Sequence, residues 1–156
     1  MLRLIGCGLI LAAGCGAALL CVRTQRRRLE VLDAWIELIA HARLQIDHFL
    51  TPKDEILATA DAELLRRLGG APADSAFPSL LRQTEGQLSD GARRLVVSFA
   101  EGIGNGYREE QVRACDYYID ALRVLYGRET EALPARLRVQ VALCLTAALC
   151  AAILLW

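Results

Sequence analysis

Two histidines and a carboxylate stand out first, because their spacing on a predicted helix could serve metal chemistry. Glu37 and His41 are four residues apart and His48 follows two turns later, so all three lie near one helix face. A metal site would also need ligands from a facing helix. The same spacing also occurs when such residues simply form a polar helix face in contact with water. We predict that these three residues form a solvated face and hold no metal, and we keep metal binding as the alternative.

A glycine-rich stretch is the second candidate. The residues from Gly102 to Gly106 read Gly-Ile-Gly-Asn-Gly and open a predicted helix, where backbone N–H groups could bind an anion. The stretch follows a helix rather than a strand and lacks the lysine of a phosphate-binding loop. We therefore predict a turn between two helices, with Gly104 at a positive φ angle. No nucleophile is paired in the sequence with a recognisable base, so we expect no catalytic residue, no cofactor and no small-molecule substrate.

The cysteines are the third group with potential chemistry, and most of them lie in apolar surroundings. Five belong to the two ends of the chain and one to the middle: Cys7, Cys15, Cys21, Cys144 and Cys150 at the ends, and Cys115 in the middle. No CxxC spacing typical of a metal site occurs. Because a free cysteine behaves as a small apolar residue, we predict packing rather than a redox pair.

The two ends of the chain are long enough to cross a membrane. The stretch Leu4 to Val22 is apolar for 19 residues, and Val139 to Trp156 has 18 residues with two polar side chains. At 1.5 Å per residue each helix would extend about 27 to 28 Å, close to the hydrocarbon thickness of a bilayer. We therefore predict transmembrane helices in residues 1–22 and 137–156, with residues 23–136 between them.

The arginines beside these segments predict their orientation. Arg23 and Arg26 to Arg28 follow the first segment, while Arg136 and Arg138 precede the second. Positive flanks face the cytoplasm, so the middle is predicted to be cytoplasmic and both termini outside. A cleaved signal peptide, or a lipoprotein signal at Ala13-Gly14-Cys15, would carry its positive charge before the apolar stretch. The observed order favours a retained anchor.

The composition excludes further classes of protein. The chain has 156 residues, no net charge, 54% hydrophobic and 23% charged residues. A protein that binds nucleic acid through its phosphates needs a basic excess, which is lacking here. The charged fraction is typical of a folded domain, but it is concentrated in the middle of the chain. This distribution argues against a freely soluble enzyme.

The middle of the chain has the apolar periodicity of helices. One helix carries Leu29 to Phe49 and ends before Thr51-Pro52, where Thr51 is the predicted N-cap and Pro52 the first residue of a second helix. That second helix is predicted to continue through Leu68 to Gly69-Gly70. A short helix carries Leu80 and Leu81, Ser89 caps another, and a long one carries Val112 to Leu125. The prediction is an all-α fold: a small helical bundle between two transmembrane helices.

These residues resemble one known family. The matching features are Trp35 to Ile39 and Ile46 in an acidic, aliphatic helix, then Thr51-Pro52 and Ile56-Leu57, then Phe99, Ile103-Gly104 and Gln111, then the C-terminal apolar segment. This pattern resembles the stage III sporulation protein AB family. Where that family has Ser-Asp at the start of a helix, this chain has Gly106 and Tyr107, so Asn105 is the expected replacement cap.

The resemblance implies a role in endospore formation. The family is similar to the cytoplasmic domains of type II secretion platform proteins, which are small helix bundles. It implies a non-enzymatic component of a secretion-like channel between mother cell and forespore, anchored in the outer forespore membrane with its soluble domain in the mother-cell cytoplasm. Its implied partners are a cytoplasmic ATPase, stage III sporulation protein AA, and the other membrane components of that complex.

The candidate functional residues belong to the two predicted turns. Exposed charges after the glycines are predicted to bind the partner: Arg108, Glu109 and Glu110. The residues predicted to form the turns are Thr51, Pro52, Gly104 and Gln111. Two other functions stay open: a platform protein of a type II secretion or pilus-like system outside sporulation, and a small membrane enzyme or metal protein that uses Glu37, His41 and His48.

Overall fold

The structure is a computed structural model that describes residues 2–49, 52–70 and 76–155, with side chains for residues 12–49, 52, 55–70, 76–151 and 153. Helix accounts for 87% of the structure, and the described ranges include no strand. The predicted all-α class is therefore confirmed. Thr51 lies outside the described residues.

The residues that the structure describes form six α-helices. They are α1 (Leu2–Leu44), α2 (Lys53–Ile56), α3 (Ala62–Arg67), α4 (Phe77–Thr84), α5 (Asp90–Gly102) and α6 (Arg108–Leu155). A π-helical turn, Gln45–Phe49, follows α1, and a 3₁₀ turn, Glu85–Gln87, follows α4. The chain divides into two compact units: a central unit, Arg28–Arg128, and a terminal unit, Met1–Arg27 with Glu129–Trp156.

The core of the central unit is built around the apolar stripe of α1. Its buried side chains come from all six helices that the structure describes and from the adjoining turns. They include Val31, Leu32, Trp35, Leu38, Ile39 and Ile46; Ile56; Leu64, Leu65 and Leu68; Phe77 and Leu80; Ala92, Val96 and Phe99; and Cys115, Ile119 and Leu122. Trp35 lies at its centre, where its indole N–H donates to the hydroxyl of Thr84 at 3.1 Å. The buried polar end of this tryptophan is therefore satisfied.

The prediction of one continuous second helix is wrong, because the structure has two helices, α2 and α3, in its place. Asp61 starts α3 as its N-cap, and its carboxylate accepts from the backbone N–H of Glu63 at 3.0 Å. An aspartate that bonds its own following backbone favours a helix start over a helix interior. Pro52 stands just before α2, in extended backbone with ψ of 149°, rather than as its first residue.

Gly69 ends α3 as the sequence predicts. Its φ is +82°, and the backbone N–H of Gly70 donates to the carbonyl of Leu65 at 2.8 Å. This left-handed termination satisfies carbonyls that the last turn of a helix leaves without partners. Arg67, in the same last turn, bonds the carboxylates of Asp33 at 2.8 Å and Glu37 at 2.6 Å, and so ties α3 to α1. The hydrogen bond to Asp33 is the main cause that raises the pKa of Arg67.

The terminal unit has a different character, because most of the large apolar side chains that the structure describes in it are exposed. They include Leu19, Leu20, Val139, Leu143, Leu145, Leu149 and Ile153. Within this unit α1 and α6 approach at small residues: a Cβ on Gly14 would lie only 2.5 Å from that of Ala148. Ala18 and Ala148 are buried in the same unit. Such residues let two helix backbones come close.

One helix of the described residues is long and apolar enough to cross a membrane. It is the part of α6 from Arg108 to Ala151, whose most apolar 18-residue window has a mean hydropathy of 1.4 and is 6% buried. Pro134 lies inside α6 without ending it. The predicted N-terminal span, residues 1–22, includes side chains outside the described residues and stays a prediction.

Candidate partner-docking site

The turn between α5 and α6 is the centre of the candidate site. The helix α5 closes with the backbone N–H of Ile103 donating to the carbonyl of Phe99 at 2.9 Å. Gly104 follows with φ of +87°, in the left-handed region that its sequence position suggested, and Gly106 has φ of +106°. Because side chains with a Cβ rarely adopt these angles, glycine lets α5 stop and α6 begin within five residues.

The side chain of Gln111 holds this turn in place. Its carbonyl oxygen accepts from the backbone N–H of Gly104 at 3.2 Å, and its amide nitrogen donates to the carbonyl of Gly106 at 3.0 Å. The structure thus brings together two residues, Gly104 and Gln111, that the sequence analysis proposed as parts of one turn. A single amide satisfies both a donor and an acceptor of the turn.

The cap of α6 is not the expected one. The side-chain amide of Asn105 donates backwards, to the carbonyl of Glu101 in α5 at 3.3 Å, so Asn105 does not cap α6. Instead, the carboxylate of Glu110 accepts from the backbone N–H of Tyr107 at 3.4 Å. This reaching back from the third helical residue is half of a capping box, and a carboxylate also suits the positive end of the helix dipole.

The three charged residues predicted to bind a partner differ in how strongly they already pair with other residues of the chain. Arg108 donates to the carboxylate of Asp47 at 2.7 Å and so ties the start of α6 to the π-helical turn. This hydrogen bond is the main cause that lowers the pKa of Asp47. Glu109 is highly exposed and lies 3.9 Å from the equally exposed guanidinium of Arg113. Glu109 is therefore the most accessible of the three.

A cavity of about 210 Å³ opens beside this turn. Its lining is mostly apolar, with polar groups at one edge: Ile46, Phe99, Gly102, Ile103, Ala114, Cys115 and Tyr118, with Asn105, Glu110 and Gln111. Burial raises the pKa of the Cys115 thiol to about 11, so this thiol stays protonated at neutral pH and is a poor nucleophile. The cavity is suited to an apolar side chain rather than to covalent chemistry.

Two exposed aromatic residues lie near the same end of the central unit. The side chain of Tyr107, in the turn itself, is 83% exposed, and that of Phe49, at the end of the π-helical turn, is 70% exposed. Aromatic residues are enriched in protein interfaces, and both of these rings are accessible to another protein.

The residues of the alternative metal site are engaged separately. Glu37 pairs with Arg67, while Nε2 of His41 lies 3.1 Å from the hydroxyl of Thr59. His48 is exposed and packs edge-on against Phe49. In the part of the chain that the structure describes, no three histidine, cysteine or acidic side chains form a group that could hold a metal. The structure therefore does not bring the three candidates together.

The comparisons with known proteins agree with the resemblance. No curated protein and no solved structure matches the chain. The family of stage III sporulation protein AB matches residues 3–156. With a match that covers the chain from its third residue to its last, this protein belongs to the stage III sporulation protein AB family and is a sporulation protein.

Proposed function

We propose that this chain is a non-enzymatic, membrane-anchored assembly protein of a secretion-like channel between mother cell and forespore. Its central unit would dock a cytoplasmic ATPase, stage III sporulation protein AA, and its anchor would lie in the outer forespore membrane. The central unit would face the mother-cell cytoplasm, with both termini outside. Membership of the family favours this role over a platform protein outside sporulation.

The observation that carries the docking role is the surface around the α5–α6 turn. A partly apolar cavity of about 210 Å³ opens beside the turn, with Glu110 and Gln111 at its edge. A separate, more open groove contains the exposed side chains of Tyr107 and Glu109. The turn itself is held by Gln111 and by the Arg108–Asp47 pair. A surface that is already ordered loses little conformational freedom when a partner binds.

The anchoring role rests on the exposed apolar part of α6. Large apolar side chains from Val139 to Ile153 face outward along it, and lipid is the environment in which such a face is stable. Arg136 and Arg138 stand immediately before this stretch. Their positive charge supports a cytoplasmic central unit.

Co-purification with the ATPase tests the docking role. The full chain in detergent micelles should retain the co-produced ATPase, and Glu109→Lys should lower the retained amount several-fold. The matched control is Glu55→Lys, which makes the same charge change at an exposed position of α2. No retention by the unaltered chain, or an equal loss in both variants, would contradict docking at this turn.

Reporter fusions test the orientation. A reporter that is active only outside the cytoplasm should be silent when fused after Gly70 and active when fused after Trp156. Activity after Gly70 would place the central unit outside and contradict the proposal.

A further inference from the structure

A shallow groove lies on the surface of α6 within the terminal unit. It has a volume of about 430 Å³, and its lining consists of four apolar side chains and one arginine: Leu137, Val141, Ala142 and Leu145, with Arg138. Arg138, Ala142 and Leu145 are exposed and follow one another at steps of four and three residues, so they share one side of the helix. The groove is therefore apolar along its length and has a positive charge near its N-terminal end.

The two helices of the terminal unit run in opposite directions. Residues later in α1 meet residues earlier in α6, because Gly14 lies against Ala148 whereas Arg43 pairs with Asp116. Each helix rises 1.5 Å per residue. Residues that are equally far from the Gly14–Ala148 contact, after it in α1 and before it in α6, therefore lie at the same level of the helix pair.

Exposed arginines from both helices share one such level, and we call them the arginine band. They are nine to twelve residues from the contact: Arg23 and Arg26 in α1, and Arg136 and Arg138 in α6. The acidic residues of the terminal unit, Glu129 and Glu131, lie at least five residues before Arg136. Among the described residues, none of the arginines of the band has a carboxylate partner. The chain itself therefore supplies no counterion for the arginine band.

The ligand that fits the band and the groove together has an anionic head and an apolar tail. Guanidinium groups bind phosphate oxygens through charge-assisted hydrogen bonds, and the groove beside Arg138 offers apolar surface to a hydrocarbon chain. A free phosphate would leave the groove empty. A zwitterionic head group would bring its own ammonium group toward the arginines, where like charges repel. A phospholipid with a net negative charge meets both requirements.

A transmembrane helix of another protein is the competing occupant of the groove. Helices associate in membranes through small residues that let their backbones approach, and α6 already uses Ala148 in this way against Gly14 of α1. Three of the four apolar side chains of the groove are large, and only Ala142 is small. This lining favours a flexible acyl chain over the rigid backbone of a second helix.

We propose that the terminal unit binds an anionic phospholipid, with the phosphate at the arginine band and one acyl chain in the groove beside Arg138. The inference rests on the membrane anchoring in the proposed function and adds a preferred class of lipid to it. Clusters of basic residues at the cytoplasmic end of transmembrane segments attract the anionic lipids of that leaflet. The arginines would then select a lipid as well as orient the chain.

Lipid retention by the immobilised full chain in detergent micelles tests this inference. The probes are fluorescent dioleoyl phosphatidylglycerol, which is anionic, and dioleoyl phosphatidylcholine, which is zwitterionic. The unaltered chain should retain the anionic lipid about tenfold better, because each arginine near a lipid surface adds to the attraction. Arg136→Gln with Arg138→Gln should remove most of this preference. Arg113→Gln with Arg123→Gln is the matched control, since it makes the same charge change at exposed positions of α6 in the central unit, and it should keep the preference.

A second pair of variants tests the groove without any change of charge. Ala142→Leu fills the groove and should lower retention of phosphatidylglycerol several-fold. Ala147→Leu makes the same change at an exposed position outside the groove and should have no effect. Inorganic phosphate should release no more lipid than chloride at the same ionic strength. Greater release by phosphate would show that the site recognises a free anion and would overturn the inference.

The possible outcomes separate this inference from the proposed function. If alkaline carbonate releases the unaltered chain from membranes, the proposed anchoring is wrong and the inference falls with it. If the chain stays in the membrane but retains both lipids equally, or if both arginine pairs reduce the preference equally, the anchoring stands and only the inference is wrong. Because the altered side chains are exposed, each variant should unfold at the temperature of the unaltered chain.

The unaltered chain provides a measurement that needs no variant. Its preference for phosphatidylglycerol should weaken as the salt concentration rises, because salt screens exposed charges. A preference that does not change with salt would mean that the arginines do not select the lipid, and would overturn the inference.

Discussion

The central and terminal units use the same two helices, α1 and α6, in opposite ways. In the central unit the large apolar side chains, such as Trp35 and Leu122, are fully buried against other helices. In the terminal unit comparable side chains are open to the surroundings; Leu143 is 64% exposed. Burial of apolar surface stabilises a folded unit by about 25 cal/mol per Å². The central unit therefore obtains its stability from its own chain, while the terminal unit leaves apolar surface that lipid would cover if the proposed anchoring is correct.

Each unit also has one feature that departs from this contrast. In the terminal unit, Gly14 and Ala148 meet so closely that no further atom fits between them. In the central unit, Tyr117 and Val124 of α6 are exposed although most large apolar side chains of that unit are buried. Each unit therefore has single positions that depart from its prevailing pattern of burial.

The largest expected effect is a core substitution in the central unit. Trp35→Ala removes a fully buried side chain and its bond to Thr84, and should lower the free energy of unfolding by about 3 to 5 kcal/mol. Denaturant unfolding of the full chain in detergent, followed by circular dichroism, measures the change. Leu143→Ala is the control and should leave the transition of the central unit unmoved. Equal losses in both variants would remove the contrast between the units.

A charge introduced into the terminal unit should weaken membrane association and leave the stability of the central unit unchanged. Leu143→Arg should make membrane insertion of the C-terminal segment less favourable by about 3 kcal/mol, because a charged side chain enters the hydrocarbon region. The fraction of the protein that stays with membranes after alkaline carbonate extraction measures this effect, with Leu143→Ala as control. The unfolding transition of the central unit should not shift. An unchanged membrane fraction would contradict the assignment of this stretch to lipid.

A smaller effect is expected at the α5–α6 turn. Gly104→Val places a branched side chain at φ of +87°, and should destabilise the central unit by about 1 to 2 kcal/mol. Gly102→Ala is the matched control, since a Cβ there meets no atom within 4 Å and the residue has no positive φ. Thermal unfolding of the two variants compares them directly. A Gly104 variant as stable as the control would show that the turn relaxes without strain.

The smallest effect concerns the ion pair at the start of α6. The bond from Arg108 lowers the pKa of Asp47 below its ordinary value of 3.8, so the pair stabilises the folded state at neutral pH. This contribution is complete above the unfolded pKa and is lost as the pH falls through the lowered folded value. Arg108→Ala should therefore lower the melting temperature slightly at pH 7 and less at very low pH. Arg113→Ala, which removes only the 3.9 Å contact with Glu109, should have no measurable effect at either pH.

Local rules recover much of this structure from the sequence. Apolar periodicity predicts the long helices, and the position of Gly104 at the end of an apolar run predicts its left-handed conformation. The break at Asp61 follows an equally local rule, but the apolar repeat from Ile56 to Leu68 conceals it. An apolar repeat indicates only which residues face the core. When a helix is interrupted but both parts keep the same side toward the core, the repeat continues unchanged.

Contacts between distant residues are the part that the sequence does not predict. Arg108 was expected to be available to a partner, yet it pairs with Asp47, which lies 61 residues earlier. Asn105 has the right chemistry for a cap, but its side-chain amide instead donates to the carbonyl of Glu101 in the preceding helix. Such pairings depend on how helices pack in three dimensions, and several partners of equal charge are available along the chain. The glycines locate the α5–α6 turn in the sequence, but they do not indicate which charged side chains of the turn pair with other parts of the chain.

The distance in sequence between α1 and α6 also has a consequence for how the protein is made. The pair between Arg43 and Asp116 joins residues 73 positions apart, and the buried side chains of α6 lie just as far from their partners in α1. At ordinary rates of protein synthesis, about 4 to 15 s pass between the two ends of this contact. During that interval the apolar stripe of α1 can pack against α3, α4 and α5 but lacks the part of the core that α6 supplies. We therefore expect general chaperones to bind the nascent chain until α6 has emerged.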